Sequence, residues 1–163
     1  MRILGVDPGL RITGYAVISV SKSDKFGKKI EIVEAGVIRT DAKAGIAERL
    51  TTLYTALLAA ADELKPEKIV IEKLYAHYKH PATAILMGHA RGVVCLVSGV
   101  KKIPLTSIAS TQVKKAITGK GHASKLQVQR MIQHTLKLKC LPEPPDVADA
   151  LAVALSYAFQ TKL

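Results

Sequence analysis

Four carboxylates in this chain stand where chemistry could use them. Asp7 closes the apolar stretch Arg2–Val6 and runs into Pro8-Gly9, and Glu72 closes Ile69-Val70-Ile71. Asp146 and Asp149 open the segment DVADALAVAL three residues apart. On a helix that spacing puts both on one face, roughly 5–6 Å apart at Cβ. Each acid also has an ordinary structural use. Asp-Pro-Gly is good turn chemistry, a strand-end Glu can be simply solvated, and acids favour a helix cap or first turn. Four like charges at element ends, however, repel one another unless something positive sits between them. Hard oxygen donors of this kind suit Mg²⁺, with Mn²⁺ as its substitute. Two such ions about 3.5–4 Å apart can activate a water and stabilise the leaving oxygen of a phosphodiester. Asp7, Glu72, Asp146 and Asp149 are therefore the expected catalytic and metal-holding residues, with two ions for the set.

The rest of the chain says what such a site would act on. Twenty-four Lys and Arg against thirteen acids give a formal charge of +11. Setting the four acids aside makes their surroundings more cationic still. An acidic pocket in a basic surface is the layout of a nuclease, because phosphate neutralisation drives nucleic-acid binding. Five Tyr, two Phe and no Trp leave little for a broad stacking platform on single strands.

The elements that must position these residues follow from apolar spacing. Strands are predicted at 2–7, 12–20 and 30–39, with the basic hairpin loop SKSDKFGKK at 21–29. Ile46, Leu50, Leu53, Leu57, Ala61 and Leu64 recur at helical spacing and predict a helix over 44–65, ended by Pro66. KIVIE, 68–72, reads as a short buried strand. A helix from Pro81 to about Val100 is apolar nearly all round, hence buried on several sides, in a core or a subunit interface. A strand at 103–106 follows, then helices near 110–117 and 124–138, and a last helix from Asp146 to about Phe159. The order predicts an α/β fold, one domain over 1–163, with a mixed five-stranded sheet flanked by helices. If the strands at 2–7 and 68–72 are parallel neighbours, Asp7 and Glu72 emerge at one sheet edge, where open α/β sheets bind ligands.

Composition narrows the classes. A length of 163 residues, 48% hydrophobic and 23% charged, is enough for a full core without staples. Cys95 and Cys140, the two cysteines, are expected as reduced thiols in a cytoplasmic protein. Neither CxxC nor HExxH occurs, which argues against structural zinc. No signal peptide is expected at the N-terminus. The run Ala84–Val100 carries His89 and Arg91 and is expected to be too interrupted for a membrane span. TGKG lacks the spacing of a phosphate loop and reads as a flexible basic loop near DNA.

Five ordered motifs, GVDPGLRITGYAVI, IVIEKLY, GHARGV, QVKKAITGKGHASKLQVQ and DVADALAVAL, make the chain resemble the RuvC family of Holliday junction resolvases. The resemblance covers essentially the whole chain. It implies a ribonuclease H-like fold, a homodimer, Mg²⁺ dependence, paired nicks at a four-way DNA junction, and the RuvA–RuvB branch-migration complex as partner. The family's catalytic acids fall on Asp7, Glu72, Asp146 and Asp149. Its base-contacting aromatic falls on Tyr75, and two DNA-holding lysines on Lys114 and Lys125. Departures from the family pattern are Ala76, Tyr78, Pro81, His89, Ile108 and Ser110, which bear on junction contacts and cleavage preference rather than on the acids.

Three rival readings compare with this one on sequence alone, and the first lacks the length it needs. An actin-like ATPase also follows a strand Asp with a Gly, but needs two such domains. Another ribonuclease H-like nuclease would cut simple duplexes or hybrids. A non-catalytic junction-binding protein would have no reason to keep all four acids.

Overall fold

A computed structural model describes residues 1–23, 27–74 and 81–161. The strands are β1 (Arg2–Asp7), β2 (Ile12–Ser23), β3 (Gly27–Arg39), β4 (Lys68–Glu72) and β5 (Leu105–Ile108). The helices are α1 (Ile46–Leu64), α2 (Pro81–Lys101), α3 (Ser110–Thr118), α4 (Lys125–Thr135) and α5 (Pro145–Gln160). The sheet runs β3-β2-β1-β4-β5, antiparallel from β3 to β1 and parallel from β1 to β5. It is the mixed five-stranded sheet expected from the sequence.

Strand alternation sorts the core into two layers. Ile3, Ile18 and Val70 face α3, α4 and α5, and pack with Val113, Ile132, Leu151 and Leu155. Leu4, Val6, Ile69 and Ile71 face the other way, onto Leu53 and Leu57 of α1 and Ala90, Val94 and Val97 of α2.

Several boundaries move for local reasons. The β2–β3 ladder continues through Lys22–Lys28 to Ser23–Gly27, so most of the expected basic loop is strand, and its residues 24–26 lie outside the described ones. Lys28 earns its place there: its Nζ donates to the carbonyls of Ala158 and Thr161 and caps the end of α5. The fifth strand starts two residues late. Ile103 N–H is tied back to Ser98 O (3.0 Å), and pairing with β4 begins only at Leu105, after Pro104. Helix α4 stops at Thr135 rather than 138, because Lys137 takes a left-handed φ of 52°. Helix α1 spans 46–64 rather than 44–65, between Gly45 and a left-handed Lys65.

Helix α2, expected in a core or a subunit interface, turns only one side to the core of this single chain. It buries one face, Ala90, Val93, Val94 and Val97, and leaves Ile85, Leu86, Leu96 and Val100 exposed. Nor is the run too interrupted to span a bilayer. By length and composition alone, Ala82–Lys101 is long and apolar enough to cross one. Its buried face is nevertheless part of the core against α1, and the Arg91 guanidinium is hydrogen-bonded inside the fold.

Candidate active site

The parallel pairing of β1 with β4 brings the ends of both strands to one edge of the sheet, Val6 beside Ile71, and so Asp7 and Glu72 together. The turn after Asp7 does not use its carboxylate. Thr13 holds that turn instead, its hydroxyl donating to Gly9 O (2.7 Å) and accepting from Gly9 N–H (3.4 Å).

Helix α5 carries the other two acids, and two glycines let it lie close enough to matter. A Cβ on Gly5 would sit 2.3 Å from Ala150 O, and one on Gly14 would sit 2.0 Å from Asp146 O. With bare backbone at both positions, the helix rests directly on β1 and β2. The helix starts at Pro145, one residue earlier than expected. Pro144 occupies the N-cap, after a cis Glu143–Pro144 bond, and makes no side-chain cap bond. Asp146 is thus not the cap that its position suggested.

A cavity of about 280 Å³ is lined by Asp7, Glu72, Asp149, Ser110, Lys114 and Lys125, over apolar Met87, Val113, Val128 and Ala152. Asp146 lines the adjoining groove with Gly9, Leu10 and Arg11 instead. The two aspartates of α5 thus line neighbouring hollows. Three helical residues advance roughly 4.5 Å along the axis and turn about 60°, which is enough to divide them between two hollows. Asp146 still acts on Asp7 through its charge.

The electrostatics record the crowding. Asp7 is pushed up from 3.8 to about 7, first by burial and then by the charges of Asp149, Glu72 and Asp146, with Lys125 opposing. Glu72 is also raised, mainly by burial and further by Asp149, against the Ser110 hydroxyl, Lys114 and Lys125. Lys125 Nζ lies 3.2 Å from Asp149 Oδ2, and Asp149 holds its ammonium pKa above the usual value. Ser124 caps α4 through a reciprocal bond pair with Gln127, which fixes Lys125 at the first helical position.

The donor set fits a hard dication. It is all carboxylate oxygen, and Asp7 is raised first by burial and then by three neighbouring acids that Lys125 only partly offsets. Among the described residues, no three His, Cys, Asp or Glu side chains already converge at metal-binding spacing. Tyr75 and Tyr78 lie outside the described residues. The sequence reading passed over Arg91, whose guanidinium bonds Glu72 O and Ser107 Oγ. It treated Ser110 only as a departure from pattern. A lone Arg in an apolar helix was the available signal for the first.

The family model described as "Crossover junction endodeoxyribonuclease RuvC" matches residues 3–157. The chain belongs to the RuvC family. RuvC of Rhodopirellula baltica is 43% identical over 153 residues, covering 94% of this chain and 83% of the relative. RuvC of Thermosipho melanesiensis is 42% identical over 162 residues, covering 99% of both. Among solved structures, Thermus thermophilus RuvC in complex with Holliday junction substrate superposes with a TM-score of 0.89 at 30% identity, over 98% of this chain and 94% of that one. The fold is the RuvC type of the ribonuclease H-like architecture, and the enzyme is a metal-dependent crossover junction endodeoxyribonuclease.

Proposed function

We propose that this RuvC-family enzyme resolves four-way DNA junctions as a homodimer, each protomer hydrolysing one phosphodiester at Asp7, Glu72, Asp146 and Asp149. One observation carries the reading: Asp7 sits at a parallel strand end with its carboxyl near 7, among three more acids, in a chain of charge +11. The four acids would hold Mg²⁺, two ions per subunit, with Mn²⁺ able to replace it. When bound, the metal supplies an activated water and stabilises the leaving oxygen. Everything else falls to the chain's own residues. Lys114 and Lys125 hold backbone phosphates at the cavity rim, and Lys125 exchanges Asp149 for a phosphate oxygen when DNA arrives. Tyr75 stacks on a junction base. Low-affinity encounter is electrostatic, with a log–log salt slope of about −0.9 per phosphate neutralised.

The dimer follows from the substrate. A junction becomes two duplexes only when two strands of like polarity are cut opposite each other, and one site cuts one strand. A two-fold protein matches that demand. Helix α2 offers the surface: Ile85 is 61% exposed, Leu96 54% and Val100 52%, and a Cβ on Gly92 would meet nothing within 4 Å. We place the enzyme in the cytoplasm, where Cys95 and Cys140 stay free thiols, taking junctions from the RuvA–RuvB complex.

The test is cleavage of a labelled four-way junction and its matched duplex, with and without Mg²⁺. Paired nicks on the junction alone, only with Mg²⁺, are expected. Equal cutting of duplex or hybrid would favour a different ribonuclease H-like nuclease, and binding without cutting a junction-binding protein. Asp7→Asn should abolish cutting while leaving junction affinity equal or higher. Loss of binding by that variant would make Asp7 structural.

A further inference from the structure

Arg91 is the only Lys, Arg, Asp or Glu between Ala82 and Val100. A charge in so apolar a helix needs a partner, and the one it finds is the backbone of the active site. Its Nη1 donates to Glu72 O at 2.7 Å and its Nη2 to Ser107 Oγ at 2.8 Å.

The ladder explains why that carbonyl is free. Along β4, Ile69 N–H bonds Pro104 O (3.0 Å) and Lys73 N–H bonds Ile108 O (2.8 Å), so these alternate residues turn toward β5. Val70 and Glu72 therefore turn toward β1. One more step of the parallel ladder would give Glu72 O the N–H of residue 8. Residue 8 is proline and has none. The registered pairing of β1 with β4 accordingly stops at Val6 and Ile71. Arg91 supplies the donor that Pro8 lacks, and its second nitrogen reaches Ser107, the partner of Ile71 on β5. A small cavity of about 170 Å³ between Arg91, Asp7, Pro8 and Glu72 lies beside this bridge.

We propose that Arg91 is a positioning residue for Glu72: its two-point fork pins the end of β4 to β5, and so fixes where the Glu72 carboxylate stands opposite Asp7. The geometry assigns the role to the fork rather than to the charge, because both nitrogens are spent on a carbonyl and a hydroxyl. A lysine would reach one acceptor at a time. The inference rests on the reading of Glu72 as a catalytic residue.

The test uses the full chain and four proteins: wild type, Arg91→Ala, Arg91→Lys and Ser107→Ala. Three quantities are measured: the single-turnover cutting rate at saturating protein with Mg²⁺, junction affinity without Mg²⁺, and amide exchange of Lys73 in the metal-free, DNA-free protein. Arg91→Ala should cut at least about tenfold more slowly with junction affinity within about twofold, since both nitrogens of the fork are bonded within the protein. Arg91→Lys should recover only part of that rate, and Ser107→Ala should lose a few fold. Lys73 should exchange about tenfold faster in both Arg91 variants, as the strand end comes loose. If Arg91→Ala does not fold, Arg91→Lys and Ser107→Ala carry the test. Cutting by Arg91→Lys at the wild-type rate would make the role one of charge and overturn the proposal. So would unchanged exchange at Lys73, or affinity falling in step with rate, which would mean a DNA contact. Failure of the wild type to cut junctions is a failure of the functional reading instead, and the Lys73 exchange still decides whether Arg91 holds the strand.

Discussion

Without metal, this protein should lose stability as the pH rises from 4 to 8, and Asp7→Asn should remove most of that loss. The cause is the carboxyl of Asp7, held at about 7 by burial and three neighbouring acids against 3.8 when unperturbed. A group whose pKa is raised on folding binds its proton more tightly in the folded state. The stability it confers is complete below 3.8 and is lost as the pH rises through about 7. At about 1.4 kcal/mol per pH unit, the displacement amounts to roughly 4 kcal/mol, a ceiling because the pocket can relax around the charge. For a chain of this size each kcal/mol moves the melting temperature by about 2–4 °C, so the full effect is roughly 8–16 °C. Asn keeps the shape of the side chain and cannot ionise. Thermal unfolding in a chelator, at half-unit steps from pH 4 to 8, should give curves that meet at pH 4 and separate steadily, the variant melting higher at pH 8. Adding Mg²⁺ should close the gap from the wild-type side, since a ligand bound only by the folded state stabilises it. Two parallel curves across that range would refute the reasoning, as would a variant that melts lower at pH 8.

Three further outcomes test other parts of the structure. Gly14→Ala puts a Cβ 2.0 Å from Asp146 O, which backbone cannot yield cheaply. It should cost about 1–3 kcal/mol in stability and lower the cutting rate measured well below the melt; wild-type values of both would show that α5 does not rest there. Ile85→Glu, on the exposed apolar face of α2, should give a folded monomer that nicks poorly. Sedimentation showing wild-type monomers at micromolar concentration, with paired nicks still made, would sink the dimer. Tyr75→Ala removes a stacking contact worth about 1–3 kcal/mol and should slow junction cutting tenfold or more, with melting unchanged. Equal cutting would move the role to Tyr78 or abolish it.

The strands that carry Asp7 and Glu72 were legible in the sequence because burial writes itself as apolar runs, and a charge closing such a run stands out. The parallel neighbourhood of those strands, which the sequence left as a condition, is observed. What slipped were ends decided by single backbone bonds. Ile103 is apolar and reads as strand, yet its N–H closes the turn onto Ser98 and the strand begins at Leu105. Lysines 28 and 29 read as loop, yet one caps α5 and the other pairs with Glu31 at 2.8 Å along the ladder. For α2, composition showed how apolar the helix is but not which face the core uses, and the split between a core side and an outward side is visible only in the fold.

The same limit governs the site. Residue types located the four acids, but the devices that position them are contacts to backbone, which spacing does not reveal. Gly5 and Gly14 matter only because the carbonyls of Ala150 and Asp146 occupy the space where their side chains would be. Pro8 matters because it withholds a donor from Glu72, and Arg91 because it supplies one. Each fixes an acid by what it does to main chain several residues or a whole element away. The consequence is mechanical: α2 holds Glu72 through Arg91 on one sheet face, while α5 sets Asp146 and Asp149 from the other. The cavity between them can therefore be disturbed by any change that shifts either helix against the sheet, with all four carboxylates still in place.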